Sequence, residues 1–463
     1  MSDSENWDDT AVEVPDAGDS TPEYAMDPII GDGDVYGELI LLGYNGCPES
    51  RIGVQSKRHQ TKIVLRRREK PNGVKKGTVQ VLSGLAKDNH AYKDKKRYMV
   101  WYQYTKDENI LVDYEHDPTK DMFQIGRSSE PQIDFTVVDT WLASPPSGSS
   151  DAQPMKPMDH GKGAVSSTIS RYACRLLIDR ENGNKAYVSA AGFDSGRNIV
   201  LGEKATKWSK ASNQVDGLTT NGVLILHPNR MLDDLENEDG SKPMYVWREV
   251  SVDGDIFTVR DTRSSSRRGD YVPEETNMLQ DGSLIDLCGA TVLWRTADGL
   301  ERSPKASELE MALGRLNAGK PQCPVNLNTL MIPKKRSSRG ASSRQAYVYL
   351  RCGHVQGKHN WKTHSTASGQ LGGKCPICMV ESERIIQLTM GMESSFHLDS
   401  GNLDHAFNPC GHVASKNTTM YWSRIPLPQG TNSFCPVCPF CTALLATEKP
   451  YVRLIFQDHV DDL

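Results

Sequence analysis

The chain has 463 residues, a formal net charge of −5 and 11 cysteines. This length predicts two or three domains, because a single hydrophobic core stops growing at about 250 to 300 residues. The weak net charge argues against a polyelectrolyte that binds nucleic acid or an anionic membrane. The odd number of cysteines, most of them near the C-terminus, indicates metal-bound thiolates in a reducing compartment and not a disulfide framework.

The first residues, 1–34, are rich in Asp, Glu, Ser and Pro and poor in large apolar side chains. Such a segment cannot bury enough apolar surface to offset the entropy cost of ordering, so we expect a disordered acidic N-terminus. It lacks the basic start and apolar run of a secretory signal. No stretch of the chain reaches the roughly 20 apolar residues that a membrane span needs. We therefore expect a cytoplasmic protein with no membrane span.

Short apolar runs separated by turn residues fill the next part of the chain, 35–300. Alternating polar and apolar residues predict strands, and residues 98–104 and 110–114 predict the two arms of a hairpin. Strands this frequent, with almost no helical periodicity between them, are typical of a β-sandwich with elaborations. We assign residues 35–300 to this fold.

Three polar segments in this β region combine side chains that suit a phosphate group. They are Gly126-Arg127-Ser128, Ser170-Arg171 and Thr219-Thr220-Asn221-Gly222. Arginine offers a rigid fork of donors, hydroxyl groups are compact donors, and an asparagine side chain can hold a peptide carbonyl. On neighbouring loops at one end of a sandwich, these groups would bind a phosphate and the chain beside it. The same short segments are ordinary turn material, so spacing alone leaves both interpretations open.

One helix is predicted after the β region. Ser307 and Glu310 have the spacing of a capping box, and the leucines that follow share one helical face. A glycine and a proline then stop the helix, which we place near 307–317. A basic run at 334–340 comes next, so we assign 301–345 to a helix and a basic linker.

Pairs of cysteine and histidine residues recur in the last part of the chain, 346–463. The pairs are Cys352-x-His354, Cys375-x-x-Cys378, Cys410-x-His412 and Cys438-x-x-Cys441. Zinc prefers four thiolate or imidazole ligands in a closed tetrahedron, so eight such residues predict two structural Zn²⁺ ions with no open position for a catalytic water. The order of the pairs permits a cross-brace, in which alternate pairs share an ion, and sequential pairing is the alternative. Cys435 and Cys323 are further candidate ligands.

Several longer runs resemble the Pellino family, and the resemblance extends from about Tyr36 to Gln457. The runs are 37–40 (GELI), 43–46 (GYNG), 121–135 (DMFQIGRSSEPQIDF), 168–175 (TISRYACR), 220–228 (TNGVLILHP), 347–361 (YVYLRCGHVQGKHNW), 405–413 (HAFNPCGHV) and 425–430 (IPLPQG). The resemblance implies a mainly β protein. The implied architecture is a forkhead-associated β-sandwich with an inserted wing of extra strands, followed by a small zinc-stabilised RING-like α+β module.

The resemblance also implies the residues that bind a phosphothreonine peptide. These are Arg127, Ser170, Arg171, Thr220 and Asn221. Ordinary forkhead-associated domains have a histidine three residues after the serine, whereas this chain has an alanine there, which removes a strand support and no phosphate ligand. The implied partners are phosphorylated receptor-associated kinases of the Toll and interleukin-1 receptor pathway.

A RING-like module implies ubiquitin-protein ligase activity without a catalytic nucleophile. Such a module binds a ubiquitin-conjugating enzyme that carries ubiquitin and accelerates transfer by positioning. We expect Ile377, Pro439 and Phe440 to contact that enzyme. The family pattern favours Cys438 and Cys441 as the last ligand pair. Thr442 stands where many RING domains have a basic residue that clamps ubiquitin, so the clamping group is unassigned.

The sequence therefore predicts a ubiquitin ligase that recognises phosphothreonine-bearing signalling kinases and promotes their polyubiquitination in innate immune signalling. The alternative is a catalytically silent phospho-dependent scaffold that uses zinc only for folding. Zinc-dependent nucleic-acid binding is disfavoured, because the cysteine-rich module lacks a basic stripe interleaved with aromatic residues.

Overall fold

The computed structural model describes residues 34–42, 62–84, 89–137, 167–210, 214–228, 245–319, 322–334, 344–365, 371–429 and 433–457. The acidic segment that we expect to be disordered lies outside these ranges, except for Asp34. The basic run lies outside them as well, except for Lys334. Within the described ranges, no helix is both long enough and apolar enough to span a bilayer.

The first part of the described chain consists of seventeen strands and a short 3₁₀ turn at Ala91–Lys93. The strands are β1 (Val35–Leu41), β2 (Lys62–Arg66), β3 (Gly73–Ser83), β4 (Tyr98–Gln103), β5 (Glu108–Asp117), β6 (Lys120–Gly126), β7 (Phe135–Thr136), β8 (Cys174–Asp179), β9 (Ala186–Ala190), β10 (Asn198–Leu201), β11 (Thr206–Ser209), β12 (Val215–Leu218), β13 (Leu224–Leu226), β14 (Arg248–Val250), β15 (Ile256–Thr258), β16 (Leu284–Asp286) and β17 (Thr291–Thr296).

These strands form a β-sandwich with an additional sheet. The largest sheet has the order β15-β14-β13-β16-β17-β1-β2, and a second sheet has the order β7-β6-β8-β9. Side chains of both sheets, such as Leu39 and Val292 from the first and Leu176 and Val188 from the second, meet in one buried core. A third sheet, β10-β4-β5-β3, is the elaboration that the resemblance implies as a wing. Strands β11 and β12 form a separate pair.

The predicted hairpin is confirmed by β4 and β5, which pair antiparallel from Tyr98 opposite Tyr114. Alternation along β4 explains how the wing joins the sandwich, since successive side chains of a strand point to opposite faces. Val100 belongs to the sandwich core. Its neighbours Met99 and Trp101 instead form a smaller cluster on the other face.

Two helices follow the sandwich, α1 (Ala297–Arg302) and α2 (Ala306–Ala318). The second helix agrees with the helix predicted near 307–317, but its cap differs from the prediction. The Lys305 amide donates to Glu308 Oε2 at 2.9 Å, so the cap is Lys305, two residues before the predicted cap at Ser307. Leu309 and Leu313 are buried in a core formed with the C-terminal strands. The predicted connector helix is therefore packed into the cysteine-rich module.

The described residues of the C-terminal part form twelve short strands, a 3₁₀ turn at Ser394–Phe396 and the helix α3 (Lys416–Trp422). The strands are β18 (Tyr347–Tyr349), β19 (Val355–Gln356), β20 (Thr363–Ser365), β21 (Leu371–Lys374), β22 (Glu381–Ser382), β23 (Ile385–Gln387), β24 (Thr389–Met390), β25 (His405–Phe407), β26 (His412–Ala414), β27 (Leu427–Gln429), β28 (Ser433–Cys435) and β29 (Tyr451–Arg453). Their sheets have the orders β19-β18-β23, β20-β21-β22, β24-β26-β25-β29 and β27-β28.

Candidate functional site

The first metal-ligand cluster joins Cys352, His354, Cys375 and Cys378, whose ligand atoms all lie within 4.8 Å of one another. The first two ligands lie in the turn between β18 and β19, and the other two in the turn between β21 and β22. Strand β23 follows β22 closely and pairs antiparallel with β18. This pairing brings the two turns together.

The second cluster joins Cys410, His412, Cys438 and Cys441, again with all ligand atoms within 4.8 Å of one another. Cys410 in the turn between β25 and β26, with His412 at the start of β26, supplies one pair, and the turn after β28 supplies the other. Both clusters therefore combine pairs that are consecutive in the sequence. This is the sequential pairing, and the cross-brace that the order of pairs permits is not the arrangement formed.

The two Cys-Gly-His turns have the same backbone conformation. Gly353 has φ of 86° and Gly411 has φ of 75°, a region that favours glycine. The Gly353 amide donates to Tyr349 O at 2.7 Å, and the Gly411 amide donates to Phe407 O at 2.8 Å. A Cβ atom at Gly353 would lie only 2.2 Å from Arg453 O. Glycine is therefore required between the cysteine and the histidine.

The two Cys-x-x-Cys turns repeat each other as well. The residue after each pair has positive φ, 62° at Met379 and 56° at Thr442. The Met379 amide donates to Cys375 O, and the Thr442 amide donates to Cys438 O, both at 2.8 Å. Each turn thus places two sulfur atoms on the same side of a tight loop, the arrangement that tetrahedral coordination requires.

A buried glutamine supports the first cluster, and the sequence analysis missed it. Gln356 Nε2 donates to Cys375 Sγ at 3.3 Å, and Gln356 Oε1 accepts from His359 Nε2 at 2.8 Å. Gln356 is completely buried. Hydrogen bonds of this kind orient metal ligands and adjust their basicity. The available signal was a polar residue two positions after His354, on the strand that leaves the turn.

The other two cysteines considered as ligands lie outside both clusters. Cys323 is completely buried and packs in the apolar core that contains Leu330 and Val348. Cys435 is half-buried on β28, and neither cluster includes it. Cys438 and Cys441 are therefore the pair that completes the second cluster.

Burial and hydrogen bonds shift the pKa values of the ligand thiols in opposite directions. Desolvation raises the pKa of Cys352 to about 12 and raises the pKa of Cys410 and Cys438 well above the usual value. Hydrogen bonds from Cys410 and Cys438 hold the pKa of Cys441 well below it. A metal ion binds the thiolate form, so loading either cluster would release protons. Three sulfur donors and one nitrogen donor in a closed set of four fit zinc.

The candidate phosphate pocket is formed by three loops at one end of the sandwich. The loop after β6 and the loop before β8 are joined by hydrogen bonds from the Arg127 amide to Ser170 O at 3.1 Å and from the Ser128 amide to Arg171 O at 3.2 Å. Asn221, on the loop before β13, donates its side-chain amide to Thr168 O. The three predicted segments are therefore brought together.

Within this pocket, Arg127, Arg171 and Thr220 are exposed, whereas Ser170 and Asn221 are half-buried. Arg127 Nε donates to Ile169 O at 2.8 Å, which fixes the side chain. The glycine before Arg127 allows this close approach, since a Cβ atom there would lie 2.0 Å from Arg171 O. The pocket thus presents cationic and hydroxyl groups to solvent on a fixed backbone.

A buried ion pair holds the backbone of the loop that precedes β13. Arg260 Nη2 donates to Glu249 Oε1 at 2.6 Å and to Thr219 O at 2.9 Å. Both charged side chains are almost completely buried. Burial raises the pKa of Glu249, although the hydrogen bonds from Arg260 oppose this effect. Spacing in the sequence gave no sign of this pair, since its members lie in segments that contain none of the pocket residues.

A second ionisable pair flanks the pocket. The Tyr172 hydroxyl donates to Glu130 Oε1 at 2.6 Å. Burial and this hydrogen bond raise the pKa of Tyr172 to about 12, and the same bond lowers the pKa of Glu130. The Arg171 guanidinium lies 5.5 Å from the centre of the Tyr172 ring. The aromatic ring therefore limits the positions that Arg171 can take.

The residues expected to contact a conjugating enzyme differ in accessibility. Ile377 is 42% exposed, and its neighbours Met379 and Val380 are 47% and 36% exposed. Pro439 and Phe440 are buried. Pro439 and Phe440 are therefore not accessible for the contact with the conjugating enzyme that we expected of them.

The Phe440 ring is buried because it packs among other aromatic rings. It lies 5.8 Å from the Phe396 ring and 6.2 Å from the Phe407 ring. Phe440 thus fills the core beside the second cluster, and it has no free face for a partner.

Comparison with known proteins covers most of the chain. Residues 29–312 match the family model described as Pellino, FHA domain, and residues 316–461 match the model described as Pellino, RING domain. "Protein pellino" of Drosophila melanogaster is 45% identical over 427 residues, which cover 92% of this chain and 94% of that protein. The human "E3 ubiquitin-protein ligase pellino homolog 2" is also 45% identical, with 92% and 96% covered. The mouse "E3 ubiquitin-protein ligase pellino homolog 3" is 44% identical, with 92% and 90% covered.

The geometry of the first cluster predicts that Gly353→Ala loses one of two metal ions. The new Cβ atom would meet Arg453 O, and alanine at this φ costs about 1 to 3 kcal/mol. Ions per chain are counted by mass spectrometry under non-denaturing conditions. The matched control is Gly314→Ala, on the exposed face of α2 with no atom within 4 Å of the new Cβ, which should keep both ions. A Gly353→Ala protein with both ions would contradict the prediction.

Proposed function

The chain belongs to the Pellino family, with a forkhead-associated domain followed by a RING domain, and from this premise we propose that it is a RING-type E3 ubiquitin-protein ligase. Its sandwich recognises phosphothreonine on signalling kinases, and its RING domain promotes their polyubiquitination in Toll and interleukin-1 receptor type innate immune signalling. The observation that carries the proposal is the pair of closed four-ligand clusters, one of which has an exposed apolar turn. The names of the curated relatives support the ligase activity.

The two clusters hold Zn²⁺ ions in this proposal, and both ions are structural. All four positions of each tetrahedron are taken by protein ligands, so no position remains for a catalytic water. Ligation by thiolates agrees with a reducing compartment, and the proposal places the protein in the cytoplasm. The ions contribute to the reaction only by keeping the RING domain folded.

Transfer itself requires no nucleophile from this chain. A lysine amine of the client attacks the thioester carbonyl between ubiquitin and the conjugating enzyme, and the cysteine thiol of that enzyme leaves. Holding the two reactants together in the correct orientation can lower the barrier by several kcal/mol. Ile377, Met379 and Val380 form the apolar surface proposed to hold the conjugating enzyme, since three apolar side chains close together in one turn are exposed.

The sandwich contributes client selection. A phosphothreonine carries about −1.5 to −2 charges and three strong acceptor oxygens. Arg127, Arg171, Ser170 and Thr220 supply cationic and hydroxyl donors at one end of the sandwich, and Asn221 supplies an amide for the peptide backbone. An aspartate has a smaller charge and only two acceptor oxygens, so it should replace phosphothreonine poorly.

If the protein were only a scaffold, it would form no ubiquitin chains. Purified wild-type protein, Cys378→Ala and Arg127→Ala are each incubated with ubiquitin, activating enzyme and a panel of conjugating enzymes, and chain formation is followed on gels. We expect chains from the wild type and from Arg127→Ala, but none from Cys378→Ala, whose first cluster has lost a ligand. Absence of chains with every conjugating enzyme, from wild-type protein shown to carry two zinc ions, would leave the scaffold function.

The phosphate pocket makes a prediction about affinity. Arg127→Ala should weaken binding of a phosphothreonine peptide about 10- to 100-fold, because a hydrogen bond to a charged group contributes about 1.5 to 3 kcal/mol. Calorimetric titration measures this, with Arg267→Ala as the control, since Arg267 is exposed and lies outside the pocket loops. Equal affinities of the two variants would show that Arg127 does not bind the phosphate.

The exposed apolar turn predicts a separate defect. Ile377→Ala should slow chain formation roughly tenfold, because an apolar contact at the centre of an interface contributes about 1 to 2 kcal/mol. Val200→Ala removes an apolar side chain with similar exposure, 43%, from β10 of the third sheet and should leave the rate unchanged. Both variants should keep two zinc ions and bind the phosphopeptide normally. An unchanged rate in Ile377→Ala would remove this turn from the proposed interface.

A further inference from the structure

The sandwich and the RING domain share one hydrophobic core. Ile40, Leu224 and Leu293 of the seven-stranded sheet pack in the same buried cluster as Phe407 and Trp422 of the RING domain. These side chains are between 0% and 2% exposed. An interface that resembles the interior of a single domain does not behave as a loose contact between modules.

Aromatic residues of the segment before β14 extend this contact. Trp247 Nε1 donates to Pro426 O at 2.7 Å, and only 5% of Trp247 is exposed. The Tyr245 ring meets the Tyr421 ring edge-on, with 5.7 Å between their centres. Each pair joins a sandwich residue to a RING residue. The tryptophan hydrogen bond fixes direction as well as distance, because an N–H donor and a carbonyl acceptor must align.

Arg295 connects three parts of the chain. From β17 its Nη1 donates to Ser395 O in the RING domain at 2.8 Å, and its Nη2 donates to Gly299 O in α1 at 2.9 Å and to Ser303 Oγ. Its Nε donates to Asp281 at 3.0 Å. The side chain is 8% exposed. One guanidinium thus holds the sandwich, the segment that leaves it, and the RING domain.

The covalent connection is also short. Helix α1 begins directly after β17, and only residues 303–305 separate α1 from α2. Helix α2 is packed in the RING core through Leu309 and Leu313. The linker predicted at 301–345 therefore contains a helix, α2, that packs in the RING core, and only residues 297–305 connect β17 to this helix.

These contacts reach the phosphate pocket directly. Asn221 lies in the pocket, and Leu224, whose side chain packs in the interface, begins β13 only three positions later. Strand β13 is central in the seven-stranded sheet, with β14 on one side and β16 on the other. A displacement of the RING domain relative to this sheet would therefore be opposed by the same strand that carries the pocket loop.

We propose that the sandwich and the RING domain act as one rigid body, and that Trp247 and Arg295 are positioning residues that determine which lysine of a bound client receives ubiquitin. This inference rests on the proposed function. A fixed distance between the phosphothreonine pocket and the conjugating enzyme favours lysines at one range of separations from the phosphothreonine. A loosely tethered RING domain would reach lysines at many separations.

The test uses the full chain and synthetic clients. Each peptide carries one phosphothreonine and one lysine, joined by a Gly/Ser linker of about 5 to 40 residues, whose mean span grows as about 5 to 6 Å times the square root of its length. The initial rate of ubiquitin transfer to each peptide is measured. For the wild type we expect negligible transfer with the shortest linkers and a maximum at an intermediate length, with a decline beyond it.

The variant Trp247→Ala removes the hydrogen bond to Pro426 O and opens the shared core. We expect its rate with the shortest linkers, relative to its own maximum, to rise about tenfold, while the decline at long linkers becomes shallower. Trp208→Ala is the matched control, since Trp208 on β11 packs on Phe257 of β15 and does not belong to the cluster shared with the RING domain. The control should keep the wild-type profile. Identical profiles for wild type and Trp247→Ala would overturn the inference.

Two further readouts separate this inference from the proposed function. Discharge of ubiquitin to free lysine in solution reports on the RING domain alone, and phosphopeptide affinity reports on the pocket alone. If discharge is absent in the wild type, the proposed ligase function fails. If both are normal in Trp247→Ala and the profile is unchanged, only the rigid-body inference fails.

A milder variant protects the test against loss of folding. Trp247→Phe keeps an aromatic ring, loses the N–H donor to Pro426 O and removes less volume from the core than alanine does. We expect a smaller rise with the shortest linkers, in the same direction. A Trp247→Phe protein with two zinc ions and the wild-type profile would likewise overturn the inference.

Discussion

The closed set of four ligands around each metal position is the constraint on which the rest of this structure depends. Buried thiols with raised pKa values stay protonated unless a cation replaces their protons. A bound cation would therefore stabilise the convergence of these thiols in one cluster. Apparent zinc binding energies of about 10 to 16 kcal/mol are comparable to the whole stability of a domain. Cys410 and Cys438 of the second cluster also lie in the core shared with the sandwich. Metal binding, folding of the RING domain and attachment of the sandwich are therefore linked.

This linkage gives the two-domain arrangement a functional meaning. In the proposed function, selection of a client by its phosphothreonine and delivery of ubiquitin occur on separate surfaces, and neither surface needs a reactive group from this chain. The rate of the coupled process depends on geometry, because positioning is the only catalytic contribution such a ligase makes. Arg295 and Trp247 lie where the sandwich packs against the RING domain. Their hydrogen bonds extend the orientation set by the metal clusters to the sheet that carries the phosphate pocket.

Local patterns in the sequence predicted much of this fold. The β4–β5 hairpin, α2 and all four ligand pairs depend on residues close together in the chain, where periodicity and turn chemistry are informative. The pairing of the clusters depends on β18 meeting β23, a long-range contact that spacing does not encode. Burial of Phe440 was missed for a related reason, since a residue inside a Cys-x-x-Cys turn gives no sign of the core it will meet. Gln356 supports a metal ligand through strand geometry that appears only after folding.

Sequential pairing of the ligands is the central claim, and counting zinc in double variants tests it most directly. Cys352→Ala should leave one ion per chain under non-denaturing mass spectrometry. Adding Cys378→Ala, in the same cluster, should still leave one ion, whereas adding Cys438→Ala, in the other cluster, should leave none. The opposite result, with Cys352→Ala and Cys378→Ala together removing both ions, would show that the pairs are cross-braced and would contradict this structure.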